Sequence, residues 1–242
     1  MRCRRIAQCL IHHTVANQTL RETIMSLTFY FAPMSTASIT EAVLAELAIP
    51  FDLVKLNISV GDTRTPEFLE INPNGRVPVI VHEGTAIWES SAITMYLGEV
   101  FGVDAKLYPA SGLKRGEAMK WIAWSNVTFA EAASRLFASL PPEKQGDEET
   151  KAQEKVAPEM KNAIAMEKAK ADLADYLKIL NGGLEGRSFL IGDYSLADTH
   201  LQGIVGWVGS MEVDLTPFPN VTGWLKRCYE RPAIAKLMVN ES

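Results

Sequence analysis

Up to about residue 105 the apolar positions change period repeatedly. Leu27-Thr28-Phe29-Tyr30-Phe31 is short and aromatic and predicts a strand. Ile39, Val43, Leu44 and Leu47 then recur at helical spacing until Ile49-Pro50 stops them. Residues 51–56 predict a second strand, 57–65 a polar loop and 66–71 a short helix. Val79-Ile80-Val81 and Thr85-Ala86-Ile87-Trp88 flank Glu83-Gly84 and predict a hairpin, followed by a helix over 91–100 with Ser90 as its cap. Beyond Leu107-Tyr108-Pro109-Ala110-Ser111-Gly112 the pattern is helical throughout. Residues 114–140 carry Ala118, Trp121, Ile122, Phe129, Ala132, Ala133, Leu136 and Phe137 along one face, until Pro141-Pro142 stops them. A charged loop over 143–150 leads to a helix over 151–180, broken near Pro158 and closed by Asn181-Gly182-Gly183. Ser195-Leu196-Ala197-Asp198 opens a buried helix over 199–211, and Val221, Trp224, Leu225 and Cys228 mark another before Arg231-Pro232 starts the last. The order β-α-β-α-β-β-α followed by helices predicts an open α/β sheet domain joined to an all-α domain.

Length allows both domains a core: 242 residues, 47% of them hydrophobic. A net charge of −5 argues against a nucleic-acid-binding surface. No apolar run reaches the roughly 20 residues of a membrane span, so no membrane partner is expected. Cys3, Cys9 and Cys228 are odd in number and lack metal-ligand spacing, which suits a reducing, cytoplasmic setting without disulfides. No metal is expected. Residues 1–24 differ from the rest: Arg2, Arg4, Arg5 and Arg21 face only Glu22. Such an Arg-rich start has the composition of a transit peptide. Because the domain pattern begins directly after Met25, 1–24 is expected to be a disordered extension, with His12 and His13 solvated.

The candidate chemistry begins at Asn72-Pro73-Asn74-Gly75-Arg76-Val77-Pro78, where a turn feeds a proline directly into a strand. Glu89-Ser90 then opens a helix, whose unpaired N–H groups and dipole suit a carboxylate ligand. Together these stretches resemble the glutathione site of the cytosolic glutathione transferases. In that family a cis-proline follows a residue whose backbone pairs with the cysteinyl part of glutathione, and an acidic-Ser pair holds the γ-glutamyl end. The resemblance puts Val77, Pro78, Glu89 and Ser90 in those roles, with Glu89 facing the ammonium. It covers residues 25 to about 237 and implies a thioredoxin-like domain over 25–106, a linker over 107–112 and an all-helical domain over 113–242. The Ser195-x-x-Asp198 capping box resembles the family's structural motif, and Asp198→Ala is expected to cost about 1 kcal/mol or more. The accompanying staple would pair Tyr194 with Thr199, a weak apolar match.

Such a protein must keep a thiol of pKa about 8.5 ionised at neutral pH, by donating a hydrogen bond to sulfur near a helix N-terminus. The donor is expected between the first strand and the first helix, where Ser35, Thr36 and Ser38 stand. Ser35, two residues after Pro33, matches the catalytic serine of the phi, theta and delta classes. Thr36 stands where the beta class has its cysteine, so a mixed disulfide is not expected. Tyr30 lies within the strand and is an outside candidate. A serine there is also the commonest helix cap, but Ser38 and Glu41 form a capping-box pattern of their own. Arg64 takes the basic position before Thr65-Pro66-Glu67 that phi-class members use for the glycyl end, Thr63 replaces their histidine, and Arg76 replaces a frequent Gln. Met34, Trp124 and Asn126 are the candidates for an electrophile pocket, since Trp124 and Asn126 lie off the main apolar face; Trp121, Phe129 and Trp207 suit a core.

The resemblance implies a homodimeric transferase that adds glutathione, as co-substrate, to small apolar electrophiles. Two alternatives stay open. One is a non-catalytic binding or assembly module like the transferase-like domain of translation elongation factor 1 gamma, which the 121–137 segment also resembles. The other is a glutathione-dependent isomerase, dehalogenase or peroxidase on the same scaffold.

Overall fold

The computed structural model describes residues 27–140 and 159–240, with the backbone alone given at 159–162 and 240. The expectations for 1–24, for Pro141-Pro142, for the 143–150 loop and for Pro158 lie outside the described residues. The chain divides into two compact units: residues up to Ala37 with Pro50–Glu89, and Ser38–Ile49 with everything from Ser90 onward.

The first unit is built on a four-stranded sheet in the order β2-β1-β3-β4. The strands are β1 (Leu27–Phe31), β2 (Asp52–Lys55), β3 (Val79–His82) and β4 (Thr85–Trp88). β1 pairs β2 in parallel and β3 antiparallel, and β3 pairs β4 antiparallel. A parallel pair needs a crossover, and helix α1 (Ala37–Leu47) supplies it. Phe29 is fully buried at the centre, opposite Leu53 and Ile80 and edge-on to Phe31 and Phe51. Helix α2 (Pro66–Ile71) starts with proline at its first turn, where no N–H is missed, and Thr65 accepts the Phe68 N–H as cap. This is the α/β thioredoxin-like order that the pattern of periods predicts.

The second unit is helical. It comprises α1 beyond Ala37, α3 (Ser90–Leu97), α4 (Leu113–Trp124), α5 (Ala130–Ser139), α6 (Glu159–Gly183), α7 (Leu196–Ser210), α8 (Pro219–Tyr229) and α9 (Pro232–Asn240). Among the described residues two wide π turns interrupt it, at Gly98–Gly102 and at Ser125–Phe129, the latter joining α4 to α5. Central helix α7 is buried along most of its length. It starts at Leu196, three residues earlier than the sequence predicts, because Ser195 already stands at the cap. Asn181-Gly182-Gly183 is not a terminator placed beyond the helix: α6 runs through it to Gly183. Gly183 serves close approach instead, since a Cβ there would lie 2.6 Å from the Trp121 ring.

A polar cluster ties α1 into this unit. Glu46, nearly buried, accepts a bidentate pair from Arg231 at 3.0 and 2.6 Å. The Arg231 guanidinium stacks 4.0 Å from the Tyr194 ring, and Tyr194 donates to Glu46 at 3.1 Å. Tyr194 and Thr199 do meet, but as a hydrogen bond of 3.0 Å rather than an apolar staple.

Candidate functional site

The loop Ala32-Pro33-Met34-Ser35-Thr36 connects β1 to α1. Ser35 is half-buried; its hydroxyl donates to the Ala32 carbonyl at 2.7 Å and accepts the Ala37 N–H at 3.2 Å. The cap expected at Ser38 therefore falls upstream, because α1 already begins at Ala37. The neighbouring Thr36 hydroxyl donates to the Val77 carbonyl at 3.4 Å. Met34 stands on left-handed backbone (φ 55°) and is 92% exposed. The first turn of α1 holds no acidic side chain.

The turn leading to β3 is held from below by Asn72. Its amide donates to the Arg76 carbonyl at 2.7 Å, and its oxygen accepts the Asn74 N–H at 3.1 Å. Gly75 is required twice over: its φ is +59°, and a Cβ would lie 2.5 Å from the Arg64 Nη1. Arg64 spends one N–H on the Asn74 carbonyl at 3.2 Å, which makes it a brace of the turn as well as a basic group beside it. Arg76 is exposed. Val77 and Pro78 are buried, and the peptide between them is cis.

Glu89 carries the chain out of β4 with φ 73°, a left-handed conformation that costs a non-glycine residue about 1 kcal/mol or more. Ser90 is not a cap ahead of the helix but the first residue of α3, because the left-handed turn at Glu89 takes the preceding position. The first turn of α3 has no acidic residue either. An exposed carboxylate therefore directly precedes a helix start suited to an anion.

Trp124 and Asn126 part ways. Trp124 is half-buried among the rings of Trp121, Phe129 and Tyr176, at 5.4, 5.5 and 6.1 Å. Asn126, carried by the π turn, donates through Nδ2 to Ser90 Oγ at 2.9 Å and accepts on Oδ1 from His200 Nε2 at 2.7 Å. The other ring nitrogen of His200 meets Thr94 Oγ1 at 2.8 Å. Asn126, half-buried, thus supports a candidate ligand residue. The sequence pattern missed His200 and Thr94. Their only signal was a polar side chain on an apolar helix, which says nothing of its partner.

Burial without a counter-charge pushes His200 down to about 3. Its folded pKa lies below the unfolded 6.5, so its contribution to stability is present above pH 6.5 and is lost as pH falls. Unfolding free energy should drop by about 2 kcal/mol between pH 6.5 and 5. Urea melts of His200→Gln should show a visibly flatter dependence over that interval; an unchanged slope would mean that His200 is not the titrating group.

Residues 25–99 match the family model described as glutathione S-transferase, N-terminal domain, and residues 149–232 the one described as glutathione S-transferase, C-terminal domain. Glutathione S-transferase D7 of Drosophila melanogaster is 32% identical over 205 residues, covering 83% of each chain. The chain belongs to the glutathione S-transferase family. The transferase GstB of Escherichia coli K12 is 28% identical over 81% of this chain and 89% of its own. Among solved structures, the glutathione transferase URE2P6 of Phanerochaete chrysosporium, described in complex with oxidized glutathione, superposes with a TM-score of 0.75. It covers 89% of this chain and 96% of its own at 24% identity, a likeness that speaks for the shared transferase fold. Ser35, Val77, Pro78, Glu89 and Ser90 all lie within the first matched transferase domain, and Asp198 and His200 within the second. Among the described residues no helix is long and apolar enough to cross a membrane.

Proposed function

We propose that this protein is a homodimeric, cytoplasmic transferase that conjugates the glutathione thiolate to small apolar electrophiles. The supporting observation is the junction of β4 and α3, where left-handed Glu89 hands the chain to Ser90 at a helix start without acidic residues. In this reading the helix start takes the γ-glutamyl carboxylate, Glu89 takes the ammonium, and the backbone of Val77 ahead of cis-Pro78 takes the cysteinyl amide. Arg64 and Arg76 lie toward the glycyl carboxylate. The sulfur falls near the start of α1, where Ser35 turns its proton from the Ala32 carbonyl to the thiolate. Catalysis is then thiolate stabilisation plus positioning of the electrophile.

One observation favours a second reading, a glutathione-binding module without turnover: the Ser35 proton is already donated at 2.7 Å. Retention on immobilised glutathione, run beside conjugation assays with an aryl halide, an enone and an alkyl halide, separates the two. Retention with turnover is the expected result. Retention without turnover of any electrophile selects the binding module, and failure to be retained removes both.

A further inference from the structure

Ser90, Asn126, His200 and Thr94 form one unbroken line of hydrogen bonds, of 2.9, 2.7 and 2.8 Å. The line has a direction. His200 is wholly buried and neutral, so its ring carries one proton. Asn126 Oδ1 can only accept, which puts that proton on Nε2. Nδ1 is then a bare lone pair, and the buried Thr94 hydroxyl must donate to it. At the other end, Asn126 Nδ2 occupies a lone pair of Ser90 Oγ. Every link runs from Thr94 toward Ser90, and Ser90 keeps its own proton to give elsewhere. In the opposite direction, Ser90 would give its proton to Asn126 and present a lone pair instead.

The direction matters for an anion. A carboxylate accepts hydrogen bonds only, so a hydroxyl that is already an acceptor on its protein side is preset for it. Asn126 reaches Ser90 from the π turn Ser125–Phe129, an irregularity of the helix that concentrates at functional positions.

We infer that His200 is a positioning residue for the anionic end of the ligand: acting through Asn126, it fixes the Ser90 hydroxyl as a hydrogen-bond donor. The inference rests on the reading that Ser90 meets the γ-glutamyl carboxylate of glutathione. It adds residues that touch no ligand, and it assigns them a task other than holding the helices together.

The test uses the full chain and two ligands, measured by calorimetric titration. One ligand is glutathione; the other is its analogue with the γ-glutamyl α-carboxylate replaced by hydrogen. His200→Asn retains a polar group near Thr94 but none that reaches Asn126, whereas His200→Gln restores a donor at the Nε2 position. His200→Asn should bind glutathione about tenfold more weakly and the analogue within about twofold of wild type. His200→Gln should recover most of the glutathione affinity, and the His200→Asn loss should vanish in a Ser90→Ala background. Equal weakening of both ligands, equal behaviour of the two His200 variants, or no loss at all would overturn the inference. If the His200 variants fail to fold, Asn126→Ala must show the same carboxylate-dependent loss. A wild-type protein that binds both ligands alike would remove the Ser90–carboxylate reading itself, and the inference with it. That result appears in the wild type alone and is distinct from the others.

Discussion

Asp198→Ala should lower the free energy of unfolding by about 4 kcal/mol. The carboxylate is fully buried and takes the Leu190 N–H at 2.9 Å, the Ser195 N–H at 2.9 Å, the Ser195 hydroxyl at 3.0 Å and the Trp224 indole N–H at 2.8 Å. Alanine removes all of these acceptor contacts and leaves buried donors behind. Each buried donor left unpaired costs about 1–3 kcal/mol, and loss of the cap adds about 1 kcal/mol. Trp224 is the most exacting of these partners, since its ring is wholly buried and has no alternative position near water. Asp198→Asn keeps the shape and one acceptor oxygen but turns an NH₂ toward donors, and should lie between alanine and wild type. Urea denaturation midpoints decide it. A loss below about 1 kcal/mol for alanine would mean that the second unit re-pairs these groups on its own.

The sequence suggests only a capping box at this position, worth about 1 kcal/mol. The larger figure comes from Leu190 and Trp224, which join Asp198 across 8 and 26 positions of chain. That contrast holds throughout the molecule. The order of elements along the chain, the hairpin and the helix between the first two strands are legible because turn chemistry and periodicity are local, whereas the cis Val77–Pro78 peptide is implied only by the family resemblance. The left-handed Glu89 is not legible, because glutamate carries no preference for that backbone and tertiary packing has to impose it. The π turn at Ser125–Phe129 is equally silent: a strict helical wheel puts Asn126 off the apolar face, and only the wider turn brings it to Ser90 and His200. Glu46 and Arg231 meet across 185 positions, and no spacing rule reaches that far. The Tyr194–Thr199 pair shows the opposite case. Its position was legible as a staple, while its hydroxyls decided that the contact would be polar.

Ser35→Ala should lower kcat/KM for conjugation about 10- to 30-fold near neutral pH, with little change at alkaline pH. A hydrogen bond to a charged group contributes about 1.5–3 kcal/mol, which is about one to two pKa units on the sulfur. The sign follows from which form is stabilised. A donor favours the thiolate, so removing it raises the pKa of the bound thiol and lowers the ionised fraction below that pKa. Above it the thiol ionises unaided, and the deficit closes. The pH–rate profile should therefore move to higher pH as a whole. A second effect has to be separated from this one: Ser35 also accepts the Ala37 N–H, so its loss removes a cap bond worth about 1 kcal/mol of stability. That part is independent of the sulfur and appears in the denaturation midpoint but not in the pH profile. Thr36→Val is the matched comparison, since it removes the long contact to the Val77 carbonyl and keeps the side-chain volume. It should change kcat/KM less than about threefold, because a bond of that length contributes little. If Thr36→Val moves the profile and Ser35→Ala does not, the sulfur donor is Thr36, and Ser35 serves α1 alone. If neither moves it, thiolate stabilisation lies with the backbone N–H groups and dipole at the start of α1.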